Sequence, residues 1–148
     1  MNMEKLPVTI TLRSRQVLDG EESRLEQQIA GTLLETEGGW QLRYRENTGE
    51  GGESCLTVEE GSALLERGGT MAARMRFQPG SVHPARYQTP YGALALTVET
   101  TYLGHTLSRE GGRVLIRYQL SAQGQELGAY TLQLHVRAAG TPPEEEEK

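Results

Sequence analysis

Few side chains in this sequence have the type and spacing that chemistry demands. Cys55 is the single cysteine, so neither an intrachain disulfide nor a thiolate zinc cluster can form. It heads a segment with Leu56 and Val58 and has no basic neighbour in sequence, which reads as a structural thiol rather than a nucleophile. His83, His105 and His135 lie far apart, none in an i, i+4 pair or beside a carboxylate at ligand spacing. No serine sits on a strand-to-helix turn of the kind that exposes a nucleophile, and no glycine cluster opens a helix as a phosphate loop would. The pairs Glu21-Glu22 and Glu59-Glu60 fall at turns and read as solvated charges. The sequence therefore predicts no catalytic residues, no metal and no cofactor.

Arginine and tyrosine are the exception. Arg43-Tyr44, Arg86-Tyr87 and Arg117-Tyr118 recur on three segments. Neighbours in a strand point to opposite faces, so each dipeptide predicts its tyrosine inside and its arginine outside. Arg74 and Arg76 stand two apart and share a face. Turned inward, they would form an anion site with Tyr87 or Tyr91. With Met75 and Phe77 inward instead, they form a surface patch, which avoids burying unpaired guanidinium groups. The candidate ligand-binding residues are Arg74, Arg76, Tyr87, Tyr91 and Tyr118.

The elements that must position these residues all read as strands. Val8, Ile10 and Leu12 alternate with Thr9, Thr11 and Arg13, the period-2 pattern of a half-buried strand. Asp19-Gly20 signals a turn into a long strand over Ser23 to Glu37. Gly38-Gly39 then leads into Trp40, Leu42 and Tyr44. After a Gly/Glu-rich loop over Asn47 to Glu53, Leu56 and Val58 carry a short strand and Ala63 to Glu66 another, with a turn expected at Gly68-Gly69. Met71, Ala73, Met75 and Phe77 share one face, as do Leu94, Leu96, Val98, Thr100 and Tyr102, then Val114, Ile116, Tyr118 and Leu120, then Tyr130, Leu132, Leu134 and Val136. Between the first two of these sets, Arg76 to Gly92 reads as a corner joining two halves of the sheet. There Pro90 fixes its own φ and Gly92 is free to take a positive one.

Eight to ten antiparallel strands with hairpin connections would leave two bare edges unless the sheet closes, so a closed up-and-down barrel is favoured over a sandwich. The 148 residues suit one domain, expected over 1–139, followed by a disordered acidic tail over 140–148. The net charge is −5, of which the tail supplies −3 and residues 1–143 only −2. Such a balanced body makes no electrostatic claim on nucleic acid or an anionic membrane. The start of the sequence lacks the apolar run of a signal peptide and no stretch approaches a membrane span, so a cytoplasmic location is expected.

The sequence also resembles a family. Arg76-Phe77, Gly80, Tyr87-x-Thr89-Pro90-Tyr91-Gly92 and Leu96-x-Val98-x-Thr100 are similar to the YwiB-like group of small bacterial proteins. Val8-x-Ile10-x-Leu12, Trp40-x-Leu42-x-Tyr44 and the strand over Tyr130 to Val136 fit the same pattern, so the resemblance spans residues 6 to 138. It implies a lipocalin-like (calycin) β-barrel and no activity. The functional expectation is a non-catalytic barrel that takes an apolar or amphipathic small molecule in its lumen. The alternative is a side-chain-filled barrel that binds a protein or pairs with itself as a homodimer, through a strand edge or the loop over Pro79 to Tyr91.

Overall fold

The computed structural model describes residues 5–45, 51–69 and 72–139. They form ten strands: β1 Lys5–Leu18, β2 Glu21–Glu35, β3 Gly39–Arg45, β4 Gly51–Glu59, β5 Ser62–Gly69, β6 Ala73–Phe77, β7 Val82–Thr89, β8 Gly92–His105, β9 Gly111–Ala122 and β10 Gln125–Ala138. Each pairs antiparallel with the next, and β1 pairs with β10 from Val8↔Ala138 to Val17↔Ala129, so the sheet closes. The up-and-down barrel expected from the alternation is the architecture observed, and the sandwich is excluded. The alternating apolar residues fill its interior: Ile10, Leu33, Leu42, Leu56, Val58, Phe77, Val98, Val114, Ile116 and Leu134 are fully buried. Burying one such side chain stabilises the fold by about 1.5–3 kcal/mol.

Strand length divides the ring in two. β8, β9, β10, β1 and β2 are contiguous and run 12 to 15 residues, whereas β3 to β7 run only 5 to 9. β2 and β3 pair only from Gly31↔Tyr44 to Glu35↔Trp40. At Gly31, the last described pair, a Cβ would stand 2.7 Å from the Arg43 carbonyl oxygen and 2.8 Å from Ile10 Cδ1. Glycine is needed there because the backbones cross closely, not because the turn is tight.

The two ends of the barrel also differ. At one end, the loop after β8 folds inward and buries Leu107 in the core. It is fastened by Thr106 N–H to the Arg113 carbonyl (2.9 Å), Arg113 N–H to Thr106 Oγ1 (3.1 Å) and Leu107 N–H to His105 Nδ1 (3.1 Å). Gly112 makes this plug possible, since it sits at φ 143° where a Cβ would lie 2.3 Å from the Thr106 carbonyl oxygen. Beside it, buried Thr100 accepts hydrogen bonds from Gln78 N–H on its hydroxyl (3.1 Å) and Gly80 N–H on its carbonyl (3.3 Å). This end is sealed.

The structure corrects several sequence expectations. Arg76 to Gly92 is no mere corner, because it contains β7 and ends in the Pro90-Tyr91 hairpin tip. β7 hides its identity by facing Val82 and Pro84 outward and His83 and Ala85 inward, the reverse of the usual alternation. Its pairing with β6 is limited to Ala73↔Tyr87 and Arg74↔Arg86. Gln88 N–H donates to the Ala72 carbonyl (2.7 Å), so alternate β7 residues turn their backbone toward β6, and the one beyond Arg86, Pro84, has no N–H to give. Gly68-Gly69 is not a turn, because β5 continues to Gly69. Gly51 to Glu53 belong to β4; the remainder of the expected Gly/Glu-rich loop, Met71 and the acidic tail lie outside the described residues.

Candidate functional site in the barrel lumen

At the end opposite the plug the lumen holds a cavity of about 470 Å³. The walls are apolar, with Leu12, Leu65, Met75, Leu96, Leu120 and Leu132 contributing side chains from six strands. Register sets the polar residues among them. Tyr118 faces Tyr130 across β9 and β10, Tyr130 faces Gln16 across β10 and β1, and Arg67 faces Ser54 and Ala73 on the lumen side of β5.

An aromatic ladder links the sealed core to this cavity. The Phe77 ring lies 4.8 Å from that of Tyr118, tilted by 50°, and Tyr118 stacks on Tyr130 at 5.3 Å with an 8° interplanar angle. Such pairs add about 0.5–1.5 kcal/mol beyond the area they bury. Burial pushes the Tyr118 hydroxyl well above the usual tyrosine range, and the charge of Arg67 pulls the other way. Burial and the nearby Tyr87 raise Tyr130 as well. Both phenols therefore remain neutral donors at physiological pH, set beside one half-buried guanidinium. This arrangement suits a molecule with an apolar body and a polar or anionic head.

Of the residues singled out from sequence, Tyr87 and Tyr118 line the cavity. Arg74 and Arg76 do not, because Ala73, Met75 and Phe77 take the inner face of β6 and leave both arginines outside. Arg74 instead meets Glu66 at 3.3 Å on the outer wall. Tyr91 is 98% exposed at the β7–β8 tip. No lumen anion site is built from these two arginines. The inward cation is Arg67, which sequence reading passed over by ending the fifth strand at Glu66, although Ala63, Leu65 and Arg67 share one parity. Tyr130, assigned to the core, also reaches the cavity.

The remaining candidates for chemistry stay apart. Cys55 is half-buried on the outer face of β4, with Arg43 opposite on β3 and Glu66 opposite on β5, so a basic neighbour absent in sequence is supplied by register and offset by a carboxylate. His83 Nε2 lies 3.2 Å from Gln78 Oε1, and His105 serves the plug. Among the described residues no three His, Cys, Asp or Glu side chains converge in a way that could hold a metal ion, and no helix is long and apolar enough to cross a membrane.

Fold and cavity define the class: a ten-stranded antiparallel up-and-down barrel, plugged at one end, with a tyrosine-rich pocket at the other. A family model described as "Domain of unknown function (DUF1934)" matches residues 10–134, and the chain belongs to that family. It is similar to the "Uncharacterized beta-barrel protein YwiB" of Bacillus subtilis (strain 168), with 27% identity over 118 residues that cover 79% of this chain and 83% of that protein. The crystal structure of the ywiB protein from Bacillus subtilis superimposes with a TM-score of 0.83 at 25% identity, covering 94% of this chain and 96% of that one.

Proposed function

We propose that the protein is a non-catalytic, cytoplasmic barrel that binds one small amphipathic molecule in its lumen. The supporting observation is the cavity itself: about 470 Å³ lies within the range of small-molecule sites, and apolar walls with a few convergent polar groups match their usual lining. The apolar body of the ligand packs against Leu65, Met75, Leu96 and Leu132, while its polar head meets Arg67 and the Tyr118 hydroxyl. Self-association is a second reading, and the exposed Tyr91 at the β7–β8 tip favours it.

Native mass spectrometry of the purified protein, compared with the denatured chain, tests the binding reading. It should reveal a bound small mass. Alternatively, an amphipathic anionic dye such as anilinonaphthalene sulfonate should bind one per chain, at least tenfold more weakly after Met75→Trp fills the cavity. A protein that carries no mass and binds dye equally before and after Met75→Trp has no lumen site.

A further inference from the structure

One level of the lumen wall carries a polar row. Cross-strand register places Tyr44 opposite Ser54, Ser54 opposite Arg67, Arg67 opposite Ala73 and Ala73 opposite Tyr87, so β3 to β7 present these side chains side by side. Tyr44, Arg67 and Tyr87 line the cavity. The residues that flank Arg67 in the row, Ser54 and Ala73, are small and leave room on both sides of the guanidinium. Tyr118 joins the group from β9, close enough for the charge of Arg67 to act on its hydroxyl.

Charge around the cavity is one-sided. Arg67 is the one charged side chain among the described residues that line it, and no Asp or Glu is among them. Glu66, next to it in sequence, lies on the outer wall and meets Arg74 there. An apolar cavity disfavours a cation unless negative charge or hydrogen-bond acceptors face it. A guanidinium can only donate, and burial keeps the Tyr118 hydroxyl protonated as a further donor. The Ser54 hydroxyl, fully buried beside Arg67, has no hydrogen-bond partner within the protein. Such a wall is complementary to an acceptor that bears negative charge.

We propose, resting on the lumen-binding reading above, that the ligand is an apolar molecule ending in one carboxylate, seated on Arg67 with the Tyr87 and Tyr118 hydroxyls donating to its oxygens. The head is a monoanion because the lining offers one cation; a phosphate dianion would bring a second charge into the lumen with nothing to oppose it. Two carboxylate oxygens in a plane match two N–H groups of the guanidinium fork, which a single hydroxyl oxygen does not. Cationic amphiphiles are repelled by the same group.

Matched probes that differ only in the head test this. In calorimetric titrations of the full chain at neutral pH, decanoate should bind about tenfold or more tightly than decanol. Arg67→Met removes the charge and keeps much of the stem, and should bring decanoate down to the level of decanol. Arg67→Lys keeps the charge without the fork and should retain part of the preference, and Tyr87→Phe should weaken decanoate a few-fold; thermal melts establish that each variant is folded. Decanol bound as tightly as decanoate, or a preference that survives Arg67→Met, overturns the anionic head. If Met75→Trp then abolishes both, the lumen reading stands without it. A neutral small mass carried by the purified protein has the same meaning. If neither probe binds but anilinonaphthalene sulfonate does, its sulfonate stands in for the carboxylate, and dye affinity unmoved by Arg67→Met overturns the inference. If neither probe binds and dye binding ignores Met75→Trp, the lumen reading itself falls and takes this inference with it.

Discussion

The two ends of this barrel are built from the same alternating pattern and do opposite things. At the plugged end the inner positions hold Phe77, Val98, Val114 and Ile116, and Leu107 is pressed in from the loop to complete a dry core. At the other end the inner positions hold Ser14, Gln16, Arg67, Tyr87, Tyr118 and Tyr130, and space is left between them. The difference does not lie in the strands' period, which is 2 throughout, but in which side chains fill the inward places and in how far each strand runs. The cavity lies on the side of the molecule opposite the plug. Stability and recognition are thereby separated along one axis.

Substitutions that respect this axis should show it. Phe77→Ala removes the ring at the base of the aromatic ladder and should cost about 3–5 kcal/mol in urea unfolding, whereas Leu25→Ala at the exposed rim of the cavity should cost less than about 1 kcal/mol. Equal losses would mean that the two ends share one cooperative core. Tyr118 lies at the boundary, and its signature is alkaline. The unfolded chain releases this proton near pH 10.0 while the folded protein retains it, because burial raises the native value. Stability should fall as pH rises above 10, by about 1.4 kcal/mol per pH unit from this group, and Tyr118→Phe should flatten that part of the profile. The smallest effect lies on the exposed outer wall. Glu22 hydrogen bonds with Arg15 and Arg24 lower its carboxyl from 4.5 to about 2. Its contribution is therefore complete above pH 4.5 and lost as pH falls toward 2. Glu22→Gln should slightly flatten the pH dependence of the melting temperature across that window, lowering it a little at pH 7 and leaving it unchanged near pH 2.

What could be read from the sequence follows the same division. Where inner positions are large and apolar, as in Val8-Ile10-Leu12 or Val114-Ile116-Tyr118-Leu120, alternation reveals both the strand and its buried face. Where the inner positions hold His83 and Ala85 while Val82 and Pro84 point out, β7 is invisible to the same rule. Arg67 was missed because Gly68-Gly69 read as a turn and ended the fifth strand at Glu66, whereas β5 runs on to Gly69. The lumen pocket could not be read at all, since which inward side chains meet across it depends on register, and single-strand periodicity says nothing about register between strands. Cys55 makes the same point: Arg43 and Glu66 flank it only through pairing across β3, β4 and β5.

The pairing of β1 with β10 has a consequence for how the barrel comes into being. Nine of the ten strand pairs join neighbours in sequence and can form locally, but Ile10↔Val136 and its companions bring together residues from opposite ends of the fold. β1 is made before the other nine strands and waits for its partner until every one of them has been made. Ring closure therefore sets the contact order and the slowest step of folding. Until it occurs, the nascent sheet displays one edge of β1 and one of β10, so the most aggregation-prone interval in the protein's life is the time between synthesis of its first strand and arrival of its last.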